Sequence, residues 1–124
     1  MKKAITPKNA PPALGPYSYA IETGNTVYVS GQLPITQDGK LIDDIKEATK
    51  LMLENMAAVL KGAGLELNHV VKTTVFLRDM NQFAEMNSVY ETFFASPFPA
   101  RSCVQVARLP KDAVVEAECI AVRP

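Results

Sequence analysis

Residues 98–118 read Phe98-Pro99-Ala100-Arg101-Ser102-Cys103-Val104-Gln105-Val106-Ala107-Arg108-Leu109-Pro110-Lys111-Asp112-Ala113-Val114-Val115-Glu116-Ala117-Glu118. The stretch predicts two strands, roughly 102–107 and 114–122, joined around Leu109-Pro110-Lys111-Asp112. Pro99 restrains the chain just before the first strand, so Arg101 stands at a strand entrance. Its guanidinium is a rigid fork that matches a carboxylate with two hydrogen bonds. Glu116 lies in an otherwise apolar strand, where an ionisable group is costly unless it has a task or a partner. A fixed cation that grips an acid, with a carboxylate able to move a proton, points to chemistry on a small carboxylic acid. On spacing alone a plainer alternative stays open. Arg101 would pair with a surface carboxylate, and Glu116 would face water on a half-buried strand.

Read as a hairpin with its turn centred between Pro110 and Lys111, the stretch sets Arg101 opposite Ile120 and Glu116 opposite Gln105. Arg101 and Glu116 are then about 13 Å apart along the ladder, at ~3.3 Å per residue. A slip of one residue would set Cys103 opposite Cys119 and exchange the faces. The first register is preferred because it keeps Arg101 and Glu116 on one face. A single small ligand meets both more easily if a neighbouring subunit brings one of them.

Working outward, Val71, Thr73, Val75 and Leu77 alternate with Thr74, Phe76 and Arg78, a strand over 70–77. Asp79 is a cap for a helix with the stripe Phe83, Met86, Val89, Tyr90 and Phe93, ended by Ser96-Pro97. Upstream, Ile45, Ala48, Leu51, Met52, Met56, Val59 and Leu60 recur at helical spacing. Asp43 or Asp44 caps this helix, and Gly62 and Gly64 stop it. Residues 17–22 and 26–32 form a hairpin about Gly24-Asn25, Asp38-Gly39 marks a further turn, and 9–16 is an extended, proline-rich arm. Nothing repeats and no linker divides the chain, so residues 1–124 read as one domain. The fold class is α+β, a mainly antiparallel sheet with two helices on one face. The other face carries Ser, Thr, Ala and Val in place of runs of Lys and Glu, and an uncharged face of this kind calls for a partner.

Composition narrows the function classes. The chain has 124 residues and is 48% hydrophobic, ordinary for a small globular domain. Thirteen basic residues balance thirteen acidic ones, so no global field steers it to nucleic acid or anionic lipid. No apolar run approaches the ~20 residues of a membrane span. The basic start Met1-Lys2-Lys3 lacks the apolar core of a signal peptide, and a cytoplasmic location is expected. Cys103 and Cys119 have no metal-like spacing and are expected as free thiols, and His69 is the sole histidine.

Pro99-Ala100-Arg101-Ser102-Cys103, Val106-Ala107-Arg108-Leu109-Pro110-Lys111-Asp112 and the Glu116/Glu118 strand resemble the signature of the Rid family, the reactive intermediate deaminases, also called the YjgF family. The resemblance extends through Asn9-Ala10-Pro11, Gly15-Pro16-Tyr17-Ser18, Ser30-Gly31-Gln32-Leu33-Pro34, Val71-Lys72-Thr73-Thr74-Val75-Phe76 and Phe83-Ala84-Glu85-Met86-Asn87, and so covers essentially the whole chain in order. It is nearest to the subfamily that hydrolyses 2-iminobutanoate and 2-iminopropanoate. The resemblance implies a chorismate-mutase-like fold and a homotrimer, with a central β-barrel, helices outside and ligand clefts between subunits. It implies that Arg101 binds the substrate carboxylate, that Glu116 orients or activates the hydrolytic water, and that Tyr17, Ser30, Gly31, Asn87 and Cys103 line the pocket. Read by itself each residue has a plainer role. Tyr17 is a half-buried aromatic, Gly31 a bulge, Asn87 a solvated helix residue and Cys103 a packing residue without an activating histidine. Lys72 and Arg108 are assigned to structure. The segment Phe94-Ala95-Ser96-Pro97-Phe98 is shorter than in many relatives, at the pocket wall.

The activity so implied is hydrolysis of 2-imino acids to 2-keto acids and ammonia, with no metal or organic cofactor. Two alternatives remain. One is a regulatory trimer that binds small carboxylates without catalysis. The other is a ribonuclease or translation inhibitor, disfavoured by zero net charge, one histidine and no aromatic-basic stripe.

Overall fold

The computed structural model describes residues 1–8, 10 and 13–124. Two residues of the Asn9-Ala10-Pro11 motif, Asn9 and Pro11, thus lie outside the described residues, as does part of the expected arm. In chain order the elements are β1 (Lys3–Ile5), β2 (Ala20–Thr23), β3 (Thr26–Gln32), α1 (Ile45–Gly62), β4 (Val70–Leu77), α2 (Phe83–Tyr90), β5 (Ala100–Gln105) and β6 (Val115–Val122). The strands make one sheet in the order β1-β2-β3-β6-β4-β5. Every neighbouring pair is antiparallel except β4 and β5, which run parallel. β1 pairs with β2 and had no clear signal in the sequence, because three residues are too few to show alternation.

The expected terminal hairpin does not form. β4 lies between β5 and β6, so the two strands never pair. Thr73 is opposite Arg101 on one side and Cys119 on the other. Glu116 is opposite Phe76, not Gln105, and Cys103 is opposite Val75. The physical reason is the crossover. α2 carries the chain over the sheet and returns it parallel to β4, as a parallel pair requires. β6 then enters on the far side of β4, where it bonds to β3 as well. The connection turns through Lys111 and Asp112, with φ of 57° and 58°. Asp112 accepts from Arg108 at 2.6 and 3.3 Å, and its carbonyl accepts from Arg78 at 2.9 Å, which holds this left-handed pair of residues.

The helices cover one face. Asp44 caps α1 by accepting the Glu47 N–H at 3.0 Å. At its end the Gly64 and Leu65 N–H groups bond to the Lys61 and Leu60 carbonyls, with Gly64 at φ +74°. Ile45, Ala48, Met52, Met56, Val59 and Leu60 are buried, joined by Leu53, while Leu51 is only half-buried. α2 ends at Tyr90, well before Ser96-Pro97, with Thr92 and Phe93 in a following turn. Met86 and Tyr90 are buried, Val89 and Phe93 half-buried, and Phe83 is exposed. Along β4, Thr73, Val75 and Leu77 face the helices, but a bulge between Val70 and Lys72 turns Val71 outward, where its side chain is exposed.

The opposite face is not uncharged. It carries Thr26, Thr74 and Ser102, but also Lys72, Glu116 and Glu118, with Tyr28 and Val104 exposed. Lys72 donates to Ser102 at 3.2 Å.

Candidate functional site

The new topology separates the two residues expected to work together. Arg101 shares the helix side of the sheet with Thr73, whereas Glu116 shares the other side with Phe76. Three residues along the strand and two strands across put their Cα atoms roughly 14 Å apart, before the opposite directions of the side chains are counted. The sequence expectation of one shared face is therefore corrected. A single copy presents two half-sites.

The first half-site is built on α2. Phe83, Asn87 and Tyr90 fall on one helix face, and the Arg101 guanidinium lies against all three. It donates to Asn87 Oδ1 at 2.7 Å and sits 4.8 Å from the Tyr90 ring centre and 5.5 Å from that of Phe83. Burial pushes the Tyr90 hydroxyl above its ordinary range, against its bond to Thr73 and the nearby Arg101 charge. Among the described residues the ion pairs are Arg108–Asp112 and Arg123–Glu22, so Arg101 has no carboxylate partner there. One donor serves Asn87, which leaves donors of the fork for a ligand. Phe98, from the short segment, and the following Pro99 line the same cleft. Cys103 follows on the same face and packs against the core. Burial raises its thiol and Arg101 only opposes this, so it is not an activated nucleophile. Burial pushes Cys119 up to about 12.

The second half-site lies on the other face. It is a cleft whose lining includes Tyr17, Ser30, Gly31, Pro110, Glu116 and Glu118. The Ser30–Gly31 stretch is a bulge of β3 against β6. Ser30 donates its hydroxyl to the Ser18 carbonyl at 2.6 Å and its N–H to the Tyr19 carbonyl at 2.9 Å, while Gln32 donates to the Ser30 carbonyl at 3.0 Å. Gly31 is where Glu116 folds over the backbone. A Cβ there would stand 2.6 Å from Glu116 Oε2. Tyr17 is exposed, and its hydroxyl accepts the Leu14 N–H at 3.2 Å. Burial raises the Glu116 carboxyl above its ordinary value, and the Glu118 charge adds to this.

Arg101, Asn87 and Cys103 thus gather at one place, and Tyr17, Ser30, Gly31 and Glu116 at another. Phe83, Tyr90, Thr73, Gln32 and Pro110 were not singled out as site residues. The spacing of Phe83, Asn87 and Tyr90 at i, i+4 and i+7 was a legible signal for the first two. His69 belongs to neither half-site. Its Nδ1 accepts the Glu66 N–H at 2.9 Å and closes a short helical turn. Among the described residues no group of three or more His, Cys, Asp or Glu side chains could hold a metal ion, and no helix is long and apolar enough to cross a membrane.

The family described as endoribonuclease L-PSP matches residues 7–123. The chain is 50% identical over 123 residues to a RutC family protein of Pyrococcus horikoshii, covering 98% of each. It is 47% identical over 127 residues to the 2-iminobutanoate/2-iminopropanoate deaminase of Salmonella typhimurium, covering 99% of each. It also superposes on the crystal structure of Escherichia coli TdcF with bound serine, with a TM-score of 0.94 and 45% identity over 98% of this chain and 99% of that one. The family match spans both half-sites and every strand but β1, and the chain belongs to the endoribonuclease L-PSP family, which is the Rid or YjgF family.

Proposed function

We propose that this protein hydrolyses 2-imino acids such as 2-iminobutanoate and 2-iminopropanoate to 2-keto acids and ammonia, in the cytoplasm, as a single-domain homotrimer. The observation that carries the reading is Arg101. Its fork is held by Asn87 and two aromatic rings, lies in a cleft and has no carboxylate of its own among the described residues. A ligand carboxylate completes it. The full-length likeness to a protein named for this reaction supports the choice of substrate.

Arg101 holds the carboxylate, and the imine carbon is already electrophilic. Water adds to that carbon as Glu116 takes one of its protons, which forms a C–O bond and moves the C=N electron pair to nitrogen. The nitrogen is protonated, the C–N bond breaks as the hydroxyl proton leaves, and ammonia and the 2-keto acid result. A carboxyl whose protonated form is favoured by burial suits a group that both takes and returns a proton. Because the two half-sites of one copy face apart, the cleft is shared. Arg101 of one subunit meets Glu116, Tyr17, Ser30 and Gly31 of its neighbour, and the reaction uses no cofactor.

The test couples a threonine dehydratase to the protein and follows keto-acid formation while semicarbazide competes for the imine. Arg101→Ala should abolish acceleration while keeping the assembly, and Arg101→Lys should be nearly as poor because an ammonium lacks the planar fork. Near-normal turnover by Arg101→Ala overturns the reading.

A further inference from the structure

Arg101 is the second residue of the edge strand β5, and an arginine there has many rotamers open to it. Three groups select one of them. Asn87 accepts from it, and the rings of Phe83 and Tyr90 flank it. Phe83 is exposed, so its ring has little packing to hold it, whereas Tyr90 is only 5% exposed. The Tyr90 hydroxyl is itself tied to Thr73 Oγ1 at 2.7 Å, and Thr73 is fully buried. Thr73 is also the residue that stands opposite Arg101 in the β4–β5 ladder. The contacts therefore close a ring: Arg101 backbone to Thr73 across the ladder, Thr73 hydroxyl to Tyr90 hydroxyl, Tyr90 ring to Arg101 guanidinium. The ring spans β5, β4 and α2.

A hydroxyl pair is a poor choice for core stability alone. Phe and Val would fill nearly the same space, and replacing both partners of a buried hydrogen bond by apolar groups is close to neutral or stabilising. What the apolar pair lacks is direction. It leaves the ring, which also packs on Phe94, located by packing alone, with no bond to fix its height against β4 and so the surface on which the guanidinium rests. We infer that Thr73 and Tyr90 form a strut that positions the Arg101 fork for the substrate carboxylate, both acting as positioning residues. The inference rests on the role proposed above for Arg101.

The experiment compares wild type with Tyr90→Phe/Thr73→Val, Tyr90→Phe and Thr73→Ser as full-length protein. Calorimetry measures affinity for 2-oxobutanoate and for its uncharged amide, and thermal melting measures stability. The ratio of the two affinities reads the fork and not the general integrity of the pocket. The double variant should melt at or above the wild-type temperature, yet its preference for carboxylate over amide should fall about 3- to 10-fold, the scale of a slightly misplaced charge-assisted bond. Deaminase KM should rise by a similar factor with little change in kcat. Tyr90→Phe alone should lose the same preference, and Thr73→Ser, which keeps the hydroxyl, should retain the wild-type preference. A wild-type preference in the folded double variant overturns the strut. So does a double variant that fails to fold, which would assign the pair to the core. Wild-type protein with no preference for the carboxylate overturns instead the role of Arg101 beneath it.

Discussion

Gly31→Ala tests the Glu116 half-site by moving the carboxylate without removing it. An alanine Cβ would lie 2.6 Å from Glu116 Oε2, 2.9 Å from its Cδ and 3.2 Å from its Cγ. Ordinary contact begins near 3.4 Å, so the carboxylate oxygen must retreat by about 0.8 Å. Gly31 is not among the positive-φ glycines, so its backbone accepts alanine without strain. The displaced atoms are the far end of a flexible side chain, which can yield. Stability should accordingly stay within about 1 kcal/mol of wild type. Catalysis has less room, since a misplacement of about 1 Å costs ~10²-fold where geometry supplies the rate. The dehydratase-coupled assay should show kcat/KM reduced by about 10²-fold in a protein that melts normally. In a Glu116→Gln background, itself reduced by about 10²-fold or more, the alanine should cost far less, because the group it displaces no longer acts. A folded Gly31→Ala protein within about threefold of wild type would refute the claim that this glycine exists to seat Glu116, and with it the claim that Glu116 is the proton-moving group.

Subunit complementation tests the shared cleft: Arg101→Ala and Glu116→Gln chains, each with about 1% of wild-type activity or less alone, should regain about a quarter of wild-type activity when refolded together in equal amounts, since a quarter of randomly formed clefts pair two intact halves. Mixed trimers without activity would place the site within one copy. The pH profile of kcat/KM should have its acidic limb above the ordinary glutamate value of 4.5, because the base must be ionised and burial favours its neutral form. Glu118→Gln should move that limb lower, and an unmoved limb would remove Glu118 from the electrostatics of the cleft. The same shift bears on stability with a definite sign: the folded state keeps a proton that the unfolded chain releases, so this group's contribution falls as pH rises from 4.5 through the raised value. Gly64→Ala meets open space, its nearest neighbour being Arg123 at 3.9 Å, but sits at φ +74°; melting should drop by roughly 4 °C for a cost of about 1 kcal/mol, with deaminase activity at 25 °C retained.

The parts of the fold that local chemistry dictates were legible in the sequence. Asp44 and Gly64 sit where a helix needs a capping oxygen and a left-handed residue, and the turn at Gly24-Asn25 joins β2 to β3 as expected. Alternation identified the buried residues of β4, and failed only at Val71, where a bulge breaks the period without leaving a mark in residue type. The order of strands was not legible. Consecutive strands with a short connection read as a hairpin, and nothing in 102–122 distinguishes pairing with each other from pairing with a common third strand. That choice is made by distant partners. β6 gains two antiparallel neighbours by entering between β3 and β4, whereas a hairpin with β5 would give it one.

The error in strand order has a functional consequence. With β5 and β6 paired in the expected register, Arg101 and Glu116 would share a face, and one chain would nearly suffice for a site. With β4 between them, the residues that resemble a single catalytic set divide by face. Arg101, Asn87 and Cys103 lie on the helix side, and Tyr17, Ser30, Gly31 and Glu116 line a cleft on the other. Arg101 stands on the edge strand, and its guanidinium is held on the helix side by Asn87, Phe83 and Tyr90. If the two sets serve one substrate, a second copy must supply half of them, and the polar groups of the outward face acquire a reason. Glu116, Glu118 and Lys72 replace the apolar residues that a purely structural interface would carry, because part of that interface has to admit water and a small acid.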